Sequence, residues 1–115
     1  ARCRVAIVTN GITQVQKRRL QLSGLSPYVD ALVVSQEEGV SKPDPRIVER
    51  ALERLGCADR AQAAIVGDSL TSDMAAARNA RVDGIWYNPK GLPRPADAPH
   101  IVAEIRQLHD LMQFV

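Results

Sequence analysis

The sequence predicts an α/β domain built on a mainly parallel sheet. Three observations carry that reading. Short apolar runs at Val5–Val8, Ala31–Val34 and Ala63–Val66 have the continuous character of strands buried on both faces. Between them lie segments whose apolar residues recur at helical spacing. Two of the runs stop abruptly, at Thr9-Asn10-Gly11 and at Gly67-Asp68-Ser69, as strands do where they turn into helices at the carboxyl rim of a sheet. Alternating strands and helices imply right-handed crossovers and a three-layer, Rossmann-like arrangement with helices flanking the sheet. The 115 residues suffice for one domain, 1–115.

In chain order, the strand Val5–Val8 leads through Thr9-Asn10-Gly11 into a helix ending at Leu22, with Ile12, Val15 and Leu22 on roughly one face. Ser23-Gly24-Leu25 supplies a glycine stop with an apolar residue behind it. Ala31–Ser35 reads as the second strand, and residues 36–42 as a polar loop. Asp44 caps the next helix and Pro45 fits its first turn. Ile47, Val48, Ala51, Leu52 and Leu55 then make the clearest amphipathic pattern in the chain, stopped by Gly56. Ala63–Val66 is the third strand. The helix after it, Met74–Ala80, is rich in alanine and suited to packing close to a sheet. Gly84–Tyr87 is a fourth strand, and the prolines between Asn88 and Pro99 mark an extended surface loop. Ile101-Val102 reads as a short edge strand, and Ile105, Leu108, Leu111, Met112 and Val115 as the face of a final helix.

Composition excludes several function classes. Hydrophobic residues make up 45% and charged residues 24%, ordinary for a globular domain. A net charge of +2 and four aromatic residues (one Trp, two Tyr, one Phe) offer neither a basic footprint nor a stacking platform for nucleic acid. No apolar run approaches the ~20 residues of a membrane span. Cys3 and Cys57 lack metal-site spacing and read as reduced thiols of a cytoplasmic protein. The chain opens almost directly on a strand and lacks an initial Met, so the expectation is that it is entered part-way.

Four residues could carry chemistry together. Thr9 and Asp68 each follow the last apolar residue of a strand, Lys42 lies in a loop beyond another, and Asp73 opens the helix five positions after Asp68. In a parallel sheet all four fall on one rim. A hydroxyl and an ammonium there can hold phosphate oxygens, while two carboxylates across a tight turn can hold a hard cation. Mg²⁺ favours one or two carboxylates with waters and a substrate phosphate. Singly, Thr9 could be a helix cap, Lys42 a solvated loop residue, and Asp68 and Asp73 a turn and a cap. Their matched topology is what points to a site. Ser69 and Ser72 could add hydroxyls. His100 and His109 have no evident partner, and no P-loop, dinucleotide glycine pattern or Ser-His-Asp order is present.

The stretches Val5-Ala6-Ile7-Val8-Thr9-Asn10-Gly11, Gly39-Val40-Ser41-Lys42-Pro43 and Gly67-Asp68-Ser69-Leu70-Thr71-Ser72-Asp73, in that order, resemble the core domain of the haloacid dehalogenase superfamily. The resemblance covers nearly the whole chain and is greatest to the phosphatase branch that includes pyrimidine nucleotidases. It implies a Mg²⁺-dependent phosphomonoester hydrolase working through an aspartyl-phosphate on a small phosphorylated substrate. Thr9 would bind the phosphoryl group, with Asn10 and Gly11 beside it. Lys42 would stabilise the charge on nucleophile and phosphoryl group. Asp68 would ligate Mg²⁺, and Asp73 would support the metal shell or orient Lys42. Dehalogenases and phosphomutases resemble the chain less.

One family feature is absent. The Asp-x-Asp motif that supplies nucleophile and general acid lies on an earlier strand, and only eight residues precede Thr9. That strand is the centre of the family's sheet, between the strands at Val5–Val8 and Ala63–Val66. The expectations are therefore a fold lacking its first, central strand, and a chain inactive alone. An upstream segment or a second chain would complete the sheet. No cap domain fits between Thr9 and Lys42, so any cap lies upstream. The alternative is a non-catalytic remnant that binds Mg²⁺ or a partner. A phospho-accepting receiver domain fits less well, because its aspartate precedes its hydroxyl and lysine residues, the reverse of the order here.

Overall fold

A computed structural model describes residues 3–114. Five strands, β1 (Ala6–Thr9), β2 (Ala31–Val34), β3 (Ala64–Gly67), β4 (Asp83–Tyr87) and β5 (Ile101–Ile105), alternate with helices α1 (Thr13–Ser23), α2 (Ser35–Glu38), α3 (Pro45–Leu55) and α4 (Asp73–Ala80). Every strand pairing is parallel. The sheet comes in two parts, β1-β2 and β3-β4-β5. Register places Thr9 beside Val34 in one part and Gly67 beside Trp86 in the other. Among the described residues, β1 and β3 each keep one edge without a strand partner. This is the α/β architecture expected, with a break where the central strand was expected to be absent.

One core nevertheless spans both parts. Val33 of β2, Ile47, Val48 and Ala51 of α3, and Ala76, Ala77 and Ala80 of α4 are buried together, with Ala6 and Val8 of β1 and Ile65 of β3 packed against them. The helix α3 presents this face because its apolar residues fall three and four apart. Its start is fixed by Asp44, whose side chain accepts from the Arg46 amide. The Arg46 guanidinium beside it holds the Asp44 carboxyl well down, at about 2. Gly56 ends the helix at φ 66°. The alanines of α4 allow the close approach expected of them. A Cβ on Gly84 would lie 2.8 Å from the Met74 sulfur and 3.4 Å from the Ala77 Cβ.

Four sequence expectations need correction. Residues 36–42 are not all loop: β2 ends at Val34, and Ser35–Glu38 makes one helical turn, closed by the Gly39 amide on the Ser35 carbonyl. Glu38 is then held by Arg50 and Arg54 of α3, a long-range tie with no local signal. The final helix is absent as such. Ile105 is the buried last residue of β5, and Leu108–Phe114 is a 3₁₀ helix; Val115 lies outside the described residues. Apolar residues three apart fit a 3₁₀ turn as well as an α-helix. Nor are β1 and β3 buried on both faces. All four residues of β1 are half-buried, while Ala64 and Val66 of β3 are exposed. Lastly, Ile12, expected on the face of the first helix, lies just before α1; α1 has no buried residue, and Ile12, Val15 and Leu22 are 55%, 42% and 74% exposed.

Among the described residues no helix is long and apolar enough to cross a membrane. The distribution of burial sets a contrast. Ile47→Ala should destabilise the fold by about 2–5 kcal/mol, since Ile47 is fully buried. Leu22→Ala should change it by no more than about 0.5 kcal/mol. Urea unfolding of the two variants, side by side, measures the difference.

Candidate functional site

The site lies at the carboxyl ends of β1 and β3, where the two parts of the sheet face each other. Its centre is Lys42, which reaches back from the loop after α2. Its Nζ donates to the Val8 carbonyl at 2.9 Å and to Asp73 Oδ1 at 2.6 Å. Val8 belongs to β1 and Asp73 to the first turn of α4, so this one ammonium ties the two parts together. Its side chain is 15% exposed and that of Asp73 13%. Partial burial of this kind strengthens the pairing and makes loss of either partner costly. Lys42 is thus not a solvated loop residue. An ammonium has three donors; two are committed, and among the described residues the third has no partner.

Asp73 is placed from the other side. Its Oδ2 accepts from the Ser69 amide at 3.2 Å, so each carboxylate oxygen has a partner within the protein. Gly67 makes room for this: a Cβ there would lie 2.3–2.5 Å from the Asp73 carboxylate and its Cβ. Ser69 Oγ accepts from the Ser72 amide at 3.0 Å, shaping the turn between β3 and α4. Between Gly67 and Ser69 stands Asp68, which is exposed. Its main-chain carbonyl accepts from the Trp86 indole at 3.1 Å. Its carboxylate has no hydrogen bond or ion pair among the described residues.

The first turn is built differently from the sequence expectation. Thr9 is the last residue of β1 and caps no helix; α1 begins after Ile12 with no side-chain cap. The Thr9 hydroxyl has only a long contact, 3.4 Å, to the Asn10 carbonyl, too weak to occupy it. The Asn10 amide bonds the main chain of Lys42 in both directions. The Gly11 amide donates to Ser35 Oγ at 2.9 Å, which leaves that donor engaged. A hydrogen-bonded path therefore runs from Asn10 through Lys42 to Asp73 and on to the Ser69 amide, one residue after Asp68.

Sequence reasoning missed the Val8 carbonyl, Ser35 and Trp86 as builders of this site. Only Ser35 carried a signal, as a hydroxyl residue at a third strand end. His100 and His109 stay outside the bonded path among the described residues. Burial pushes the His100 imidazolium down, with Arg78 acting in the same direction.

A divalent cation is the group this donor set would suit. Among the described residues no cluster of three or more His, Cys, Asp or Glu side chains could cage one. Mg²⁺ needs no such cage. One or two carboxylates suffice when waters and a phosphate fill the octahedron. Asp68, an exposed carboxylate directly after β3 with no side-chain partner among the described residues, fits that requirement on the protein side.

Comparison with known proteins agrees with the geometry. Residues 1–81 match the haloacid dehalogenase-like hydrolase family. A pyrimidine 5'-nucleotidase of Escherichia coli is 37% identical over 113 residues, covering 97% of this chain and 49% of that protein. The HAD-hydrolase YfnB of Bacillus subtilis, solved bound to magnesium, superposes with a TM-score of 0.88 at 33% identity, covering 96% of this chain and 48% of that one. A 2-haloacid dehalogenase from Pseudomonas syringae superposes with a TM-score of 0.82 at 36% identity, covering 96% of this chain and 45% of that one. The chain spans half or less of the length of these relatives. A shared fold and a family match across β1 to α4 agree: the chain belongs to the haloacid dehalogenase-like hydrolases.

Proposed function

We propose that residues 1–115 are the phosphate- and metal-holding part of a Mg²⁺-dependent phosphomonoester hydrolase. The observation that carries the reading is the Lys42 ammonium, fixed between Val8 and Asp73 with a third donor unmatched among the described residues, on the same rim as Asp68, which directly follows β3. That combination suits a phosphoryl group with a cation next to it. The relatives named as phosphatases and nucleotidases support the same chemistry. The substrate is a small phosphorylated molecule, with pyrimidine nucleoside monophosphates the first class to try.

In this reading Lys42 gives its third N–H to a phosphoryl oxygen, and the Thr9 hydroxyl gives a second donor. Asp73 aims Lys42, since its Oδ1 accepts from the ammonium while the Ser69 amide steadies its Oδ2. Asp68 holds Mg²⁺, which when bound supplies positive charge against the charge that develops on the phosphoryl oxygens. The attacking carboxylate comes from a strand outside residues 1–115, seated between β1 and β3. It forms an aspartyl-phosphate as the bond to the leaving alcohol breaks, and water then releases phosphate.

Two measurements test this. Residues 1–115, and the same chain extended upstream in its natural reading frame, are assayed with p-nitrophenyl phosphate with and without Mg²⁺. Turnover should appear only in the extended form with Mg²⁺, and Asp68→Asn should remove at least about 99% of it. Turnover by residues 1–115 alone would overturn the two-part site, whereas none in either form would favour a binding domain. Gly67→Ala, which forces Asp73 away from Lys42, should lower stability by about 1–3 kcal/mol. It should also lower kcat in the extended form, read from unfolding curves and the same assay.

A further inference from the structure

We infer that Asn10 is a positioning residue whose side-chain amide clasps the main chain of Lys42 and so sets where the ammonium enters the site. The effect on turnover rests on the proposed function; the clasp does not. Asn10 Nδ2 donates to the Lys42 carbonyl at 3.2 Å, and Asn10 Oδ1 accepts from the Lys42 amide at 2.9 Å. The two bonds are reciprocal, so the side chain has one satisfying orientation. Turned over, it would set donor against donor and acceptor against acceptor. Asn10 is exposed, and a lone hydrogen bond there would compete poorly with water. Two that close on the same residue form and break together.

The consequence lies in what β1 then does to Lys42. Asn10 follows β1 directly and holds the root of the lysine, while the Val8 carbonyl within β1 holds its tip. Lysine is a charge on a flexible four-carbon stem. Fixing both ends removes most of that freedom, so the tip stays aimed at Asp73 and at whatever fills the remaining donor. With one N–H and one oxygen lone pair given to the same main chain, the amide takes its orientation from Lys42. Asn10 therefore contributes to the reaction through Lys42 and not by touching phosphate. Neighbouring bonds reinforce the arrangement: Ser35 Oγ holds the Gly11 amide, and Gln36 Oε1 holds the Thr13 amide. Together they pin the turn after β1 to the segment that leads to Lys42.

Amide hydrogen exchange by NMR, on residues 1–115 and on the upstream-extended form, tests the clasp without any activity. The Lys42 amide should exchange slowly in the wild type. Asn10→Ala should speed it by about tenfold or more. Asn10→Asp, which keeps the acceptor, should preserve most of the protection. In the extended form Asn10→Ala should lower kcat by about tenfold to a hundredfold and leave KM within about twofold. A Lys42 amide that exchanges freely in the folded wild type, or is untouched by Asn10→Ala, would overturn the clasp. So would a rise in KM with kcat kept, the sign of direct substrate contact. Should Asn10→Ala fail to fold, the wild type and Asn10→Asp decide. Protection with no turnover in any form would uphold the clasp and overturn the hydrolase reading.

Discussion

The structure depends on a single charge placed between two pieces of sheet. β1-β2 and β3-β4-β5 share a core beneath α3 and α4, but among the described residues no backbone ladder joins them. At the rim, the Lys42 ammonium spans the break by bonding the Val8 carbonyl and the Asp73 carboxylate. Apolar burial is non-directional and brings the pieces near each other without fixing their strand ends. Two charge-assisted hydrogen bonds in a partly dry setting do fix them. The relative placement of Thr9 and Asp68, on which any joint chemistry rests, therefore follows from Lys42.

Much of this was legible in the sequence. The places of β1 to β4 to within a residue, the stop of α3 at Gly56 and the alanine-rich face of α4 follow from local patterns that tertiary structure does not override. Thr9, Lys42, Asp68 and Asp73 were legible because each stands just beyond a strand end or in a loop past one. Other features were not, for physical reasons. The one-turn helix after β2 depends on Glu38 meeting two arginines of α3, a contact no local pattern encodes. Ile105 and Leu108 share a helical spacing, yet Ile105 completes β5 and is buried against its neighbours. The engagement of Asn10 with Lys42 links residues 32 apart, and its direction is set only by the fold.

Exposure makes sense of the same division. A strand in the middle of a parallel sheet is apolar at every position because both faces are covered. β1 and β3 have that composition without that cover, and α1 carries apolar side chains with none buried. In each case the sequence is more hydrophobic than its surroundings require. Meanwhile α3, α4 and β4 have composition and burial in agreement, and they hold the core. Exposed apolar side chains occur elsewhere too, at Leu92, Val102 and Leu108, but β1, β3 and α1 are the elements in which no residue is buried.

Trp86 gives the site a spectroscopic window. It is the single tryptophan of the chain, it is 1% exposed, and its indole N–H bonds the carbonyl of Asp68. Indole emission responds to the polarity and hydrogen bonding around the ring. A change in the turn that carries Asp68 is thereby written into the ultraviolet fluorescence of the protein, with no competing tryptophan and no attached dye.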